Sequence, residues 1–166
     1  MKTVSLATIL KAADCDRDLV VSWQRRDLLR TEFEPTQPGV ARGFTRDNAR
    51  EIMLMAAMTN VGVDPSIAST FIDKWLRDVD RGTLAGWWIA NPRKLKDYRL
   101  AGHVEFGDKS AESRLVSLMG MMADEDAGGW EGDPRSMAET VTAGSLVVVH
   151  VAEVIRRADA LFGEDA

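Results

Sequence analysis

The residues best suited to chemistry are arginines gathered early in the chain: Arg17, Arg25, Arg26, Arg42 and Arg46, with Ser22 among them. A guanidinium carries five fixed donors that match the oxygens of a phosphate or the O6 and N7 edge of guanine. Phosphate contacts supply affinity and register, and base-edge contacts supply sequence information, so the two jobs need different positions. Arg17 and Ser22 suit base edges, whereas Arg25, Arg26, Arg42 and Arg46 suit the backbone. Between positions 17 and 50, seven arginines stand against five acidic residues. That mildly positive field calls for paired or multiple contacts with DNA rather than one tight one. The bland alternative is a solvated helix surface, on which Arg25-Arg26-Asp27, Arg46-Asp47 and Arg50-Glu51 pair with each other.

No catalytic constellation competes with this reading. The stretch GMMADEDAGG lacks the spacing and the lysine of a phosphate-binding loop. Asp124-Glu125-Asp126 has glycine-rich neighbours and no supporting ligands, which points to a solvated loop rather than a divalent-cation site. His103 and His150 have no nucleophile or orienting partner near them in sequence. Cys15 stands near a helix start, where a thiol pKa can fall, but it reads most simply as a small turn residue. One cysteine and two histidines leave little for a disulfide framework or a zinc site. Catalytic residues, metal and cofactor are all expected to be absent.

The elements that would position the arginines follow from apolar spacing and capping residues. Ser5 caps a short helix through Leu6, Ile9, Leu10 and Ala13. After Ala13-Asp14-Cys15, Asp16 caps a second helix whose inward set is Leu19, Val20, Trp23 and Leu28, leaving Arg17, Asp18, Val21, Ser22 and Arg25 outside. Two short helices around a tight turn form a helix-turn-helix, in which the second can offer its outer face to the major groove. RTEFEPTQPGVARGF, with alternating Phe33, Val40 and Phe44, reads as a β-hairpin wing. Thr45 then caps a third helix that buries Ala49, Ile52, Met53 and Ala56 and ends near Gly62. Asp64-Pro65 starts a fourth, with Ile67, Ala68, Phe71, Ile72 and Trp75 inward. Trp23 and Phe44 are expected in the core rather than stacked on bases.

In this order and spacing, Leu28-Leu29, Gly39-Val40-Ala41-Arg42-Gly43-Phe44, Thr45-Arg46-Asp47 and Gly62-Val63-Asp64 resemble the N-terminal domain of MerR-type winged helix-turn-helix proteins. That domain also occurs in some phage excisionases and in the small terminase subunits of lambdoid phages. The resemblance spans about residues 4–76. It implies double-stranded DNA as partner, with the second helix in the major groove and the wing at Arg42 against the adjacent backbone. Two departures stand out: Val21 and Asp18 occupy positions where the family carries basic residues, and Asp14 replaces the family's turn glycine.

The rest of the chain differs in character. Residues 1–60 hold nine Lys/Arg and eight Asp/Glu, about +1, whereas 61–166 hold twelve and eighteen, about −6. Gly82 and Gly86 mark a boundary near residue 80. WWIANPRKL reads as a strand stopped by Asn91-Pro92, HVEFGD as another, residues 111–123 as a helix, and DEDAGGWEGDP as an exposed acidic loop. The end of the chain runs from a β-branched strand into a helix over Val151, Ile155, Ala158 and Leu161. Trp87-Trp88 would line a ligand pocket, form a dimer interface or pack in the core. Sustained heptads are lacking, so the long dimerising helix of typical MerR regulators is not expected.

The expectation is therefore an α+β chain. A winged helix-turn-helix domain would fill residues 1–80, and a small α/β domain for dimerisation, sensing or partner docking would fill 81–166. With no apolar run of the ~18 residues a membrane span needs, the reading is a cytoplasmic, homodimeric transcriptional regulator of bacterial or prophage origin. Alternatives are a phage packaging or excision accessory factor, and an adaptor that uses the same fold to bind protein.

Overall fold

The computed structural model describes residues 2–33, 42–84, 86–90, 103–106 and 147–163. Over these the chain is mixed, helices plus a small antiparallel sheet, and forms two units: 1–84 with 151–166, and 85–150. The first contains α1 (Leu6–Ala13), α2 (Arg17–Arg25), α3 (Arg46–Asn60), α4 (Pro65–Asp80) and α5 (Val151–Ala160). The second contains β1 (Trp87–Ala90), β2 (His103–Phe106) and β3 (Val147–Val149).

The helix ends follow the capping chemistry. Ser5 accepts from Thr8 N–H at the start of α1, and Thr45 accepts from Asn48 N–H while Asn48 accepts from Thr45 N–H, a reciprocal capping box for α3. Asp64 accepts from Ser66 N–H, with Pro65 opening α4. Asp16 is the N-cap of α2 but makes no side-chain capping bond. At the other ends α3 closes at Gly62 (φ 89°), with Gly62 N–H bonded to Thr59 O and Val63 N–H to Met58 O. Two aspartates serve in that left-handed role: Asp14 (φ 50°) after α1 and Asp27 (φ 54°) after α2. Asp14 therefore does what a turn glycine would do, and carboxamide-sized side chains tolerate this region best after glycine.

α3 is the central helix of the first unit. It packs against α1, α4 and α5, and Ile52, Leu54, Met55, Ala56 and Met58 are all fully buried, so both its faces are inside. The expected stripe Ala49, Ile52, Met53 and Ala56 is buried, but it is only part of the buried surface. α2 contributes Val20 and Trp23, followed by Leu29, and α4 contributes Ile67, Ala68, Ile72 and Trp75. Leu19, expected inward, is 43% exposed; 3.6 residues per turn already place it off the direction that Val20 and Trp23 share.

The two compact units cut across the expected division near residue 80, because α5 packs within the first unit. Val151, Ile155, Ala158 and the following Phe162 are buried on one stripe of an amphipathic helix, and that stripe covers α3. Polar contacts fix the packing. Arg50 donates to both oxygens of Asp159 at 2.7 and 2.9 Å, Arg157 donates to Ala12 O at 2.6 Å, and Lys2 donates to Phe162 O.

In the second unit the strand order is β2-β1-β3, antiparallel throughout, with Trp88 opposite Glu105 and Val149. Trp88 is fully buried. Trp87, half-buried, stacks face to face on His150 at 3.9 Å. The strands that begin and end this unit are thus direct neighbours. The expected helix 111–123 and the acidic loop after it lie outside the described residues.

Candidate nucleic-acid interface

Helix α2 is placed by the two ends of its flanking connections. On the N-terminal side, Asp14 in the left-handed region reverses the chain within the short link between Ala13 and Arg17. On the C-terminal side, Leu28 O accepts from Ser69 Oγ at 2.6 Å, tying the exit of α2 to α4. Beyond it, Glu51 of α3, only 1% exposed, accepts from Arg30 N–H, from Thr31 N–H at 3.0 Å and from the Thr31 hydroxyl. Asn48 adds bonds from its amide to Thr31 Oγ1 and Glu32 O at 2.9 and 3.1 Å. These two buried polar side chains hold the segment leading to the expected wing, because backbone donors removed from water must be satisfied. Glu51, which adjacency paired with Arg50, has nothing to do with that arginine.

With α2 so fixed, helical geometry sets its outward face. Asp18, Val21, Ser22 and Arg25 stand opposite buried Val20 and Trp23, and Arg17 lies about a quarter-turn to one side. Arg17 and Arg25 are exposed, and Ser22 and Val21 are half-buried. Arg26, exposed, is the C-cap. Among the described residues no hydrogen bond or ion pair holds the side chain of Arg17, Arg25 or Arg26, and the same is true of exposed Arg30. Arg26 is near enough to Asp64 to help hold its carboxyl below the ordinary range, an effect led by the hydrogen bonds from Ser66. Arg30 escaped the sequence reading, and its signal would have been the buried Glu51 that fixes its backbone.

The arginines of α3 are differently placed. Arg50, its side chain 12% exposed, pairs with Asp47 at 3.1 Å as well as with Asp159. The Asp159 hydrogen bonds lead in pushing its pKa above the arginine norm, against the opposing effect of burial. Arg46 reaches Asp159 at 4.0 Å and lies over the Phe162 ring at 5.7 Å. Four of the six candidates, Arg17, Ser22, Arg25 and Arg26, therefore share α2 and its end, whereas Arg46 is engaged with the C-terminal segment.

Arg42, half-buried, lies over the Phe33 ring at 6.0 Å, and Phe33 meets Phe44 edge to face. Residues 34–41, the body of the expected wing, lie outside the described residues. Phe44 pairs with Val4 in an isolated antiparallel bridge with bonds of 2.9 and 3.0 Å. Gly43 permits this approach: a Cβ there would stand 2.6 Å from Thr3 Oγ1.

No family model matches the chain, and no curated protein matches it in sequence.

The remaining chemical candidates take structural places. The Cys15 thiol is half-buried and contacts Asp16 O at 3.5 Å. Burial first, and then Asp16 and Asp14, push its pKa up, the opposite of an activated nucleophile. Among the described residues no cluster of three His, Cys, Asp or Glu side chains could hold a metal ion. Among them, too, no helix is long and apolar enough to cross a membrane. Asp124-Glu125-Asp126 lies outside the described residues.

Proposed function

We propose that the protein binds double-stranded DNA in a sequence-dependent manner through a winged helix-turn-helix, as a bacterial or prophage transcriptional regulator working in the cytoplasm as a homodimer. The observation that carries this reading is the contrast among arginines: those on and just after α2 are exposed and held by no ion pair among the described residues, while Arg50, Arg77 and Arg156 are paired with carboxylates. A guanidinium with no intramolecular partner is available to a phosphate or a guanine edge. In the proposed complex α2 enters the major groove, Arg25, Arg26 and Arg42 contact the backbone, and a second copy doubles the recognised length.

A second reading has its own support. Leu19 is exposed beside exposed Asp14, Asp16 and Asp18, which suits an adaptor that docks a protein partner at the start of α2. A phage packaging or excision factor would keep the DNA contact and change only the task.

Selection of the full-length protein against random duplexes, followed by a salt titration on the enriched site, separates these classes. The DNA reading expects an enriched motif, affinity that falls steeply with salt, and loss on Arg42→Ala. Absence of both enrichment and salt-sensitive binding would sink it in favour of the adaptor.

A further inference from the structure

Resting on that DNA reading, we infer that Asp18 and Val21 read bases directly, with Asp18 selecting cytosine and Val21 selecting a neighbouring thymine. Asp18 lies in the first turn of α2, on its outward face, exposed and held by no hydrogen bond or ion pair among the described residues. The first turn is the part of a recognition helix that meets base edges. A carboxylate so placed is acceptor-only and is repelled by phosphate, so it must face a donor. In the major groove the amino donors are cytosine N4 and adenine N6. Adenine sets its acceptor N7 beside that donor, opposite the second carboxylate oxygen, whereas cytosine does not. The geometry therefore favours cytosine.

Val21 stands three residues on, on the same face and half-buried, so part of its branched side chain remains available. Three residues rise about 4.5 Å along a helix, close to the ~3.4 Å spacing of successive bases on one strand. A valine next to a base edge has one favourable partner, the thymine methyl group. Arg25, about 10 Å from Asp18 along the axis, is then some three base pairs away and serves backbone or guanine. The residues that depart from the MerR-type pattern thus become the source of this chain's own sequence preference.

The test uses the full-length protein and the duplex enriched by selection. Asp18→Asn keeps the shape and converts the acceptor into the amide that pairs bidentately with adenine. The expected result is a change from cytosine to adenine at one position of the enriched motif, with a relative preference shift of about fivefold or more. Uracil in place of the adjoining thymine removes only the methyl group and should weaken wild-type binding severalfold, while leaving Val21→Ala nearly indifferent. Unchanged base preference in Asp18→Asn, with the variant folded by circular dichroism, would overturn the inference while leaving DNA binding intact. Failure of the wild-type protein to enrich any duplex would instead overturn the underlying DNA reading, and this inference with it.

Discussion

Helices α2 and α3 both carry arginines near their starts or ends, and the same side chain does opposite work in the two. On α3, Arg46 and Arg50 meet Asp159 and Phe162 of the C-terminal segment, so their charge fastens one part of the first unit to another. On α2 and just beyond it, Arg17, Arg25, Arg26 and Arg30 point their charge at solvent. The difference is set by what covers each helix. α5 lies on α3 and brings a carboxylate with it, whereas only Val20 and Trp23 of α2 are buried. A charged residue is available for binding according to its neighbours in the fold, not its neighbours in sequence.

The structural half of this comparison can be broken by removing what α5 contributes. Phe162→Ala takes away the fully buried ring that closes α5 onto the unit and should cost about 3–5 kcal/mol, read as a lower urea midpoint with an unchanged slope. Glu51→Ala strands two backbone donors and a hydroxyl and should cost about 3 kcal/mol in the same measurement; loss of less than about 1 kcal/mol would contradict the role given to Glu51. Asp159→Asn removes the charge that Arg50 and Arg46 share and should cost about 2 kcal/mol, yet leave DNA affinity undiminished.

Smaller effects sharpen the contrast between capping and pairing. Asp64→Ala should cost about 1 kcal/mol at pH 7 through loss of the α4 cap. The Asp64 carboxyl is held below its ordinary value by hydrogen bonds from Ser66, so its contribution is present above the unfolded-state pKa of about 4 and fades as pH falls through the lower folded-state value. The gap between the melting curves of the two proteins should therefore narrow progressively as pH falls below about 4. A gap that persists unchanged there would assign the cost to something other than the ionised cap.

Much of this arrangement was legible in the residues. Ser5, Thr45 and Asp64-Pro65 announced three helix starts, because caps and prolines act over a few residues. Val147–Val149 showed its strand through β-branching. What stayed hidden was which surfaces meet. The spacing of Val151, Ile155 and Ala158 revealed an apolar stripe on α5 but not that its target was α3, more than ninety residues earlier. Arg50-Glu51 looked like a surface pair because adjacency says nothing of burial, and the two side chains in fact point to different partners. Leu19 was misplaced because it is apolar and near the buried pair in sequence, although 3.6 residues per turn already set it off the direction that Val20 and Trp23 share. The arginine candidates of α2 came from type and exposure, whereas the engagement of Arg46 depends on α5.

The most direct test of the central claim compares Arg25→Gln/Arg26→Gln with Arg46→Gln in salt titrations of the full-length protein on its enriched duplex. If α2 presents the free charges, the double variant lowers the slope of log affinity against log salt by about two with little change in stability. Arg46→Gln should instead lower the melting temperature and leave the slope nearly unchanged. Equal slopes for the wild type and the double variant, or a slope lost only in Arg46→Gln, would contradict the assignment of DNA binding to α2.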